Sequence, residues 1–308
     1  MILAAGLTPA WQQILVFDRL NVGHVNRARE AHWIASGKVL NVGTALHHLG
    51  GESTTVALIG GLTGRSIDGQ CGELGMSRRW VWSEKPTRVC TTLLDHETGA
   101  ATELVENAAA VREEELAAFV EAYAECAGEA DYVILSGSLP VGTPRSFYRG
   151  LMERTRVPVI LDASGAELME ALPMKPLCVK PNREELARTL GRPIRSEQDL
   201  RDAMAETGRR GAEWIVVSHG ADTLWAFGRG AFYTLRPPAV SAVNPIGSGD
   251  CLAAGIGWAL REGMGMPDAI RFAMAAAAEN AAMLLTARLD PPGVRERMKE
   301  IAPAERRD

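Results

Sequence analysis

The chain of 308 residues has few of the residues that build disulfide frameworks or transition-metal sites. Its five cysteines are scattered, odd in number and without Cys-x-x-Cys spacing, which predicts reduced thiols. The six histidines show no spacing typical of metal ligands. A disulfide-stapled fold and a transition-metal centre are therefore not expected.

Charge of one sign and long apolar runs are also missing. The net charge is −5, with no basic stripe carrying interleaved aromatics, so nucleic acid is not an expected partner. The longest apolar tract, residues 269–285, contains Arg271 and Glu279 and predicts an amphipathic helix, not a membrane span. No basic leader precedes an apolar run. We expect a cytoplasmic protein without a membrane partner.

Short apolar runs alternate with helical patterns from residue 131 onward. The runs at residues 132–135, 157–161, 177–179 and 215–217 predict buried strands. This alternation predicts an α/β fold, with a mainly parallel central sheet covered by helices on both faces. The length suits a single domain over residues 1–308, with binding residues at the carboxyl ends of the strands.

The first 110 residues follow a different pattern. Four segments of alternating or mixed polarity predict extended structure at residues 12–20, 25–34, 88–94 and 101–105. We interpret them as a small β-sheet lid formed by about residues 10–35 and 86–106, with a helix of the main domain at residues 40–49 between them. Residues 303–308 are expected to fray.

The segment Asn244-Pro-Ile-Gly-Ser-Gly-Asp250 leads directly into an apolar helical pattern. Gly247 and Gly249 permit a tight turn, and the first amides of a helix have no intrahelical partners, so they can bind an anion. Asp250 at the same helix start could accept a proton from a hydroxyl group. The alternative, on local preferences alone, is a simple helix cap.

This segment resembles the C-terminal signature of the ribokinase/phosphofructokinase-B family of carbohydrate kinases, whose Gly-Ala-Gly-Asp is here Gly247-Ser248-Gly249-Asp250. The resemblance implies a ribokinase-like fold, ATP as co-substrate and Mg²⁺ as cofactor. It also implies that Asp250 is the catalytic base. Gly247, Ser248 and Gly249 would form, with the Asp250 amide, an anion hole for the transferred phosphoryl group.

Two N-terminal motifs resemble the sugar-binding segments of the family. Ser36-Gly-Lys-Val-Leu-Asn41 is similar to Gly-Gly-Lys-Gly-x-Asn, which implies sugar contacts by Gly37 and Asn41 and a phosphate contact by Lys38. Ser36 and Val39 replace glycines of that pattern. The stretch ending at Gln12 resembles the 1-phosphofructokinase and tagatose-6-phosphate kinase branch, where an Asp grips sugar hydroxyls. Gln12 is neutral and can also donate, so its preferred partners differ.

Three further positions are candidates for the phosphate already present on a phosphorylated substrate. Thr87-Arg-Val-Cys resembles the Thr-Arg-Thr-Cys of the same branch, and Arg88 would offer a planar donor fork. Arg27 is a second candidate. Ser138, in a segment that follows a buried strand, is a third, since small polar groups there lie at a strand end.

Candidates for the nucleotide side lie in the C-terminal half. In Lys180-Pro-Asn-Arg-Glu-Glu185, the i, i+3 spacing of Asn182 and Glu185 places both on one face of a helix start, where an ordinary capping role is the local alternative. The resemblance implies that this motif organises magnesium and the nucleotide phosphates, with Glu185 acting through water. The remaining nucleotide-side candidates are Lys180, Ser218, Gly220, Gly247, Gly249 and Asn280, the last at the family's adenine pocket.

The sequence therefore predicts an ATP-dependent sugar kinase that acts on a phosphorylated ketohexose. Two alternatives stay open: a kinase-fold sensor of phosphosugars or nucleotides without turnover, and a kinase for an unphosphorylated sugar or nucleoside. Its predicted partners are a phosphosugar and ATP. Some members of the family dimerise through the lid, and a homodimer formed in this way is expected here.

Overall fold

A ten-stranded sheet carries most of the chain in the computed structural model, which describes residues 1–307. Seven of these strands run parallel, in the spatial order β5-β4-β1-β8-β9-β10-β11, and an antiparallel meander, β12-β13-β14, extends one edge. The strands are β1 Ile2–Gly6, β4 Ser53–Gly60, β5 Ser77–Ser83, β8 Tyr132–Ser136, β9 Val159–Asp162, β10 Cys178–Val179, β11 Trp214–Val217, β12 Leu224–Gly228, β13 Ala231–Leu235 and β14 Glu305–Arg307.

Helices cover both faces of this sheet. Alternate side chains of a strand point to opposite faces, so Ile2 and Ala4 of β1 join one core and Leu3 and Ala5 join the other. The helices are α1 Lys38–His48, α2 Gly61–Glu73, α3 Glu113–Ala127, α4 Phe147–Met152, α5 Gly165–Ala171, α6 Arg183–Leu190, α7 Glu197–Arg209, α8 Ser248–Arg261, α9 Met266–Ala282 and α10 Pro291–Glu300. The predicted α/β class with a mainly parallel, doubly covered sheet is confirmed.

A second sheet of four strands lies apart from the first and is called the lid below. Its order is β3-β2-β6-β7, with β2 and β6 parallel and the outer pairs antiparallel. Its strands are β2 Ala10–Phe17, β3 Glu30–Ser36, β6 Val89–Asp95 and β7 Ala101–Val105. Gln12, Cys90 and Val105 pair across three strands, so their side chains share one face of the lid.

Two expectations from the sequence are wrong. Residues 25–29 are not part of a strand, because the side-chain amide of Asn26 bonds the backbone of Asn21 and His24 and closes a local loop. The tail does not fray over its described part, since Glu305–Arg307 pairs with β13. Asp308 lies outside the described residues. Among the helices within residues 1–307, none is both long enough and apolar enough to cross a membrane.

Candidate functional site

The glycine turn, residues 244–250, enters α8 at the carboxyl-terminal edge of the parallel strands. Gly247 has φ +80°, and a Cβ there would lie 2.2 Å from Thr286 Cγ2, so both conformation and space require glycine. The Ser248 amide donates to the Pro245 carbonyl at 3.2 Å. The amides of Gly249 and Asp250 belong to the first turn of α8 and have no intrahelical acceptor. Of the predicted set, the last two amides, those of Gly249 and Asp250, are therefore the ones available to an anion.

Asn280 supports the glycine turn through hydrogen bonds. Its side chain is fully buried, and its Nδ2 donates to the Ile246 carbonyl at 2.9 Å and to Ser248 Oγ at 3.0 Å. Its Oδ1 accepts from the Ala287 amide at 2.7 Å. The sequence predicted Asn280 at the adenine pocket, but the structure places its polar atoms in contacts that hold the turn. Asn280 is therefore a supporting residue in this arrangement.

Asp250 lies in the wall of a cleft of ≈ 630 Å³ that separates the main sheet from the lid, and its side chain is almost fully buried. Its Oδ2 accepts from Asn41 Nδ2 at 2.7 Å. Burial raises the pKa of Asp250 to about 7, and the nearby charge of Asp162 adds to the rise against the opposing effects of Lys38, Asn41 and Lys180. A carboxylate of this pKa is suited to accept a proton near neutral pH.

Asp162 is a site residue that the sequence interpretation missed. It is the last residue of β9 and is 1 % exposed. Its Oδ1 lies 3.4 Å from Lys38 Nζ and 3.5 Å from Lys180 Nζ. Burial alone would raise the pKa of Asp162, but the two ammonium groups outweigh burial and hold that pKa below its usual range. Its place at the carboxyl end of a predicted parallel strand was the available signal.

Two lysines lie between the carboxyl ends of the strands and the glycine turn. Lys38, at the start of α1, also lies 3.6 Å from Glu185 Oε1, and the pKa of Lys38 is raised, chiefly by Asp162. Lys180 is buried, and its Nζ comes within 3.4 Å of the position that a Cβ on Gly249 would take. Both ammonium groups therefore lie within the region bounded by Asp162 and the turn.

The predicted pair Asn182 and Glu185 forms a capping box at the start of α6. Asn182 Oδ1 accepts from the Glu185 amide, and Glu185 Oε2 accepts from the Asn182 amide, both at 2.8 Å. Glu185 Oε1 is the oxygen on the Lys38 side. The local capping interpretation is therefore satisfied, and both residues also line the cleft.

One part of the cleft combines a polar turn with an apolar wall. Ser218 bridges to Asn182 beyond the end of β11, and Ser218 and Gly220, the predicted nucleotide-side residues, both line the cleft. The sequence interpretation did not identify the apolar part of the wall. It is lined by Pro237, Pro238, Val240, Ala242, Met274, Ala277, Ala278 and Ala281.

The lid side brings several predicted substrate residues to the cleft. Gln12 is buried and its Nε2 donates to Thr92 Oγ1 at 2.6 Å. Gly37 has φ +87°, and a Cβ there would come within 2.8 Å of the Thr8 carbonyl. Ser138 lines a neighbouring cavity of ≈ 280 Å³, called the annex below, whose wall also contains Lys38 and Arg88. Gln12, Gly37, Lys38 and Asn41 line the main cleft.

The two predicted arginines have different surroundings. Arg88 lines both cavities, but its guanidinium also donates to the backbone carbonyls of Thr8, Pro9 and Glu106 at 3.1–3.4 Å. Arg27 is exposed in the loop between β2 and β3 and lines neither cavity. The structure therefore does not bring Arg27 to the other site residues within one chain.

Comparisons with known proteins identify a family and a fold. Residues 11–287 match the model of the pfkB family of carbohydrate kinases. A structure described as a possible 1-phosphofructokinase from Thermotoga maritima aligns with a TM-score of 0.92 at 21% identity, covering 100% of this chain and 99% of that one. Phosphofructokinase-2 from Escherichia coli with substrates and products aligns at 0.88 and 24% identity, covering 97% and 98%. The tetrameric inhibited form of that enzyme aligns at 0.87, 24% identity and the same coverage.

Proposed function

Because the chain belongs to the pfkB family of carbohydrate kinases, we propose that it transfers the γ-phosphoryl group of ATP to a primary hydroxyl of a phosphorylated ketohexose. Asp250 is the base in this proposal. One observation carries it: the buried carboxylate of Asp250 lines the cleft beside the free first-turn amides of α8. A proton acceptor and an anion site are therefore held by the same turn.

The chemistry follows from what each group can do at this position. Asp250 receives the proton of the attacking hydroxyl, and the amides of Gly249 and Asp250 stabilise negative charge on the transferred group. Lys38 and Lys180, both paired with Asp162, supply positive charge. Phosphoryl transfer needs mainly positioning and electrostatic stabilisation, which a fixed turn and two anchored lysines provide. Closure of the lid over the acceptor would exclude water during the transfer.

The residues around Glu185 fit water-mediated binding of Mg²⁺, which the resemblance implies. Glu185 Oε2 accepts from the Asn182 amide, and Oε1 lies 3.6 Å from Lys38 Nζ. Across residues 1–307, no three His, Cys, Asp or Glu side chains converge closely enough to hold a metal ion directly. Mg²⁺ retains several waters in such sites, and when bound it would neutralise charge on the nucleotide phosphates.

The annex supports a phosphorylated acceptor. Lys38, Arg88 and Ser138 all line it, and together they offer two cations and a hydroxyl to a phosphate group. A second candidate, an unphosphorylated sugar or nucleoside, is favoured by a specific observation. Arg88 already donates to three backbone carbonyls, and Glu103 lines the same side of the cleft.

A coupled ATP-turnover assay distinguishes these acceptors. The panel contains fructose 1-phosphate, fructose 6-phosphate, tagatose 6-phosphate, their unphosphorylated parents and nucleosides. We expect the highest kcat/KM with one of the phosphosugars. A preference for a free sugar or a nucleoside would reject the phosphosugar assignment, and binding of ligands without product in every case would indicate a sensor.

Replacement of Asp250 tests the role of the base. Asp250→Asn keeps size and shape but removes the proton acceptor, so we expect kcat to fall by at least about 100-fold. Nucleotide binding, followed by fluorescence titration, should be retained because the turn amides remain. Near-normal turnover in Asp250→Asn would reject Asp250 as the base.

Assembly through the lid remains part of the proposal. The cross-strand row Trp33, Gln13, Thr91 and Leu104 lies on the face of the lid opposite the cleft. Trp33 is 42% and Leu104 55% exposed, and Trp33 stacks on Trp11. A second copy would cover this face. Light scattering should give a dimer mass for the wild type and a smaller mass for Trp33→Asp, whereas an unchanged mass would argue against this face.

A further inference from the structure

A short chain of buried polar side chains leads from the end of β3 to Asp250. Ser36 Oγ donates to Asn41 Oδ1 at 2.9 Å, and Asn41 Nδ2 donates to Asp250 Oδ2 at 2.7 Å. Ser36 is 1% exposed and Asn41 4%. We propose that Ser36 is a positioning residue that holds the Asn41 amide in the orientation that donates to Asp250. This inference rests on the proposed role of Asp250 as base.

The amide of Asn41 has two chemically different ends, which gives Ser36 its effect. A rotated amide would turn Oδ1 toward the ionised Asp250, where two acceptors repel each other. The Ser36 hydroxyl donates to Oδ1 and so favours the orientation in which Nδ2 reaches Asp250. Glycine, which the family pattern has at this position, has no side chain to do this.

The backbone on both sides of Ser36 keeps this chain of bonds in place. Ser36 ends β3 and pairs with Ala10, and the positive φ of Gly37 turns the chain into α1. Asn41 follows in the first turn of α1, where its backbone N–H donates to the Gly37 carbonyl. A Cβ on Gly247 would lie 3.3 Å from Asn41 Nδ2, so the amide packs against the glycine turn. Its freedom to move elsewhere is small.

The charged groups facing Asp250 come from other elements and are not altered by a change at Ser36. Asp162 of β9 opposes ionisation of Asp250, whereas Lys38 and Lys180 favour it. Loss of the Ser36 hydroxyl therefore acts through Asn41 alone. The hydrogen bond from Asn41 Nδ2 is then weaker and stabilises the Asp250 carboxylate less, so the pKa of Asp250 should rise further.

The test is the pH profile of kcat/KM for Ser36→Ala and Ser36→Thr. We expect the acid limb, set by ionisation of Asp250, to move to higher pH by about 0.5 unit in Ser36→Ala. Ser36→Thr keeps the hydroxyl and should restore the wild-type limb. In an Asn41→Ala background, adding Ser36→Ala should cause no further shift, because its route to Asp250 has gone.

An unmoved acid limb in Ser36→Ala would overturn the proposal, and so would a shift that persists in the Asn41→Ala background. A merely structural role would lower thermal stability and kcat without moving the limb. If the threonine methyl prevents folding, the comparison with Asn41→Ala still decides. Failure of the proposed function is a separate result, because it would appear as turnover in Asp250→Asn.

Discussion

The two sides of the cleft differ in how their charged groups are held. On the main-domain side, Asp162 and Asp250 are buried and each has a buried or anchored partner. On the lid side, Glu103 is exposed and Arg88 is held by backbone carbonyls at the rim. The side proposed for chemistry is therefore preorganised, and the side proposed for substrate recognition is open to water.

This difference has a physical reason. Catalytic electrostatics are stronger in a water-excluded setting, where groups do not have to reorganise during the reaction. Recognition needs a surface that can admit and release the acceptor, which an exposed mixed sheet provides. Substitutions on the main-domain side should thus affect kcat, whereas substitutions on the lid should affect KM.

Among the substitutions that compare the two sides of the cleft, the largest effect on the rate is expected at Asp162. Asp162→Asn removes the one acid that anchors both Lys38 and Lys180, and small misplacements of such groups cost about 100-fold in rate. It also removes a charge that raises the pKa of Asp250, so the acid limb of kcat/KM should move to lower pH. Steady-state kinetics across pH measure both effects.

Asp131→Asn is the matched control for this change. Asp131 is a half-exposed acid that pairs with Arg261 at the surface, so its loss should leave kcat unchanged. If Asp162→Asn were as active as Asp131→Asn, the lysines would not depend on Asp162. The contrast between the two sides of the cleft would then lose its main support.

How much the sequence revealed also differs between the two sides. The glycine turn, the strand ends and the capping box were predictable, because local residue patterns fix turns, caps and buried strands. Asp162 was missed because a single acid after a strand carries no local pattern, and only the topology brings it to Lys38 and Lys180. The contacts of Asn280 with the Ile246 carbonyl and the Ala287 amide could not be predicted, because they depend on tertiary packing.

On the lid side the sequence was less informative. The strands were predicted, but the direction of the loop that carries Arg27 depends on the hydrogen bonds of Asn26. The sequence shows that Gln12 replaces an Asp of the family pattern. It does not show that the partner of Gln12 is Thr92, which is 80 positions away. Contacts between strands distant in sequence are not encoded in any local pattern.

Replacement of Arg88 is expected to have an effect of intermediate size, on KM. If Arg88 binds the acceptor phosphate, Arg88→Ala should raise KM for the phosphosugar about 10-fold with little change in kcat. KM for an unphosphorylated acceptor should not change. Arg88→Lys keeps the charge but loses the planar fork, so it should restore only part of the affinity.

The surface variant Arg149→Ala serves as the control for Arg88, because Arg149 forms an exposed ion pair with Glu153. An equal rise in KM for phosphorylated and unphosphorylated acceptors would contradict phosphate binding. It would indicate that Arg88 mainly ties the lid to the Thr8 and Glu106 carbonyls. The lid would then be a structural cover and not a recognition surface.

The smallest effect concerns stability and follows from the raised pKa of Asp250. This pKa is about 7 in the folded chain against 3.8 for an unperturbed Asp, so the folded state binds the proton more tightly than the unfolded state. Ionisation of Asp250 therefore destabilises the fold. The loss of folding free energy caused by this ionisation is absent below pH 3.8, grows between pH 3.8 and about 7, and is complete above about pH 7.

Asp250→Asn removes this penalty, so its melting temperature should exceed that of the wild type by more at pH 8 than at pH 5. The difference between the two pH values should be on the order of 3 °C for a chain of this size. Differential scanning calorimetry measures it, with Asp131→Asn as a control that lacks the pH-dependent gain. An equal gain at both pH values would mean that Asp250 ionises in the folded chain as easily as in water, and the main-domain side would then be no more preorganised than the lid.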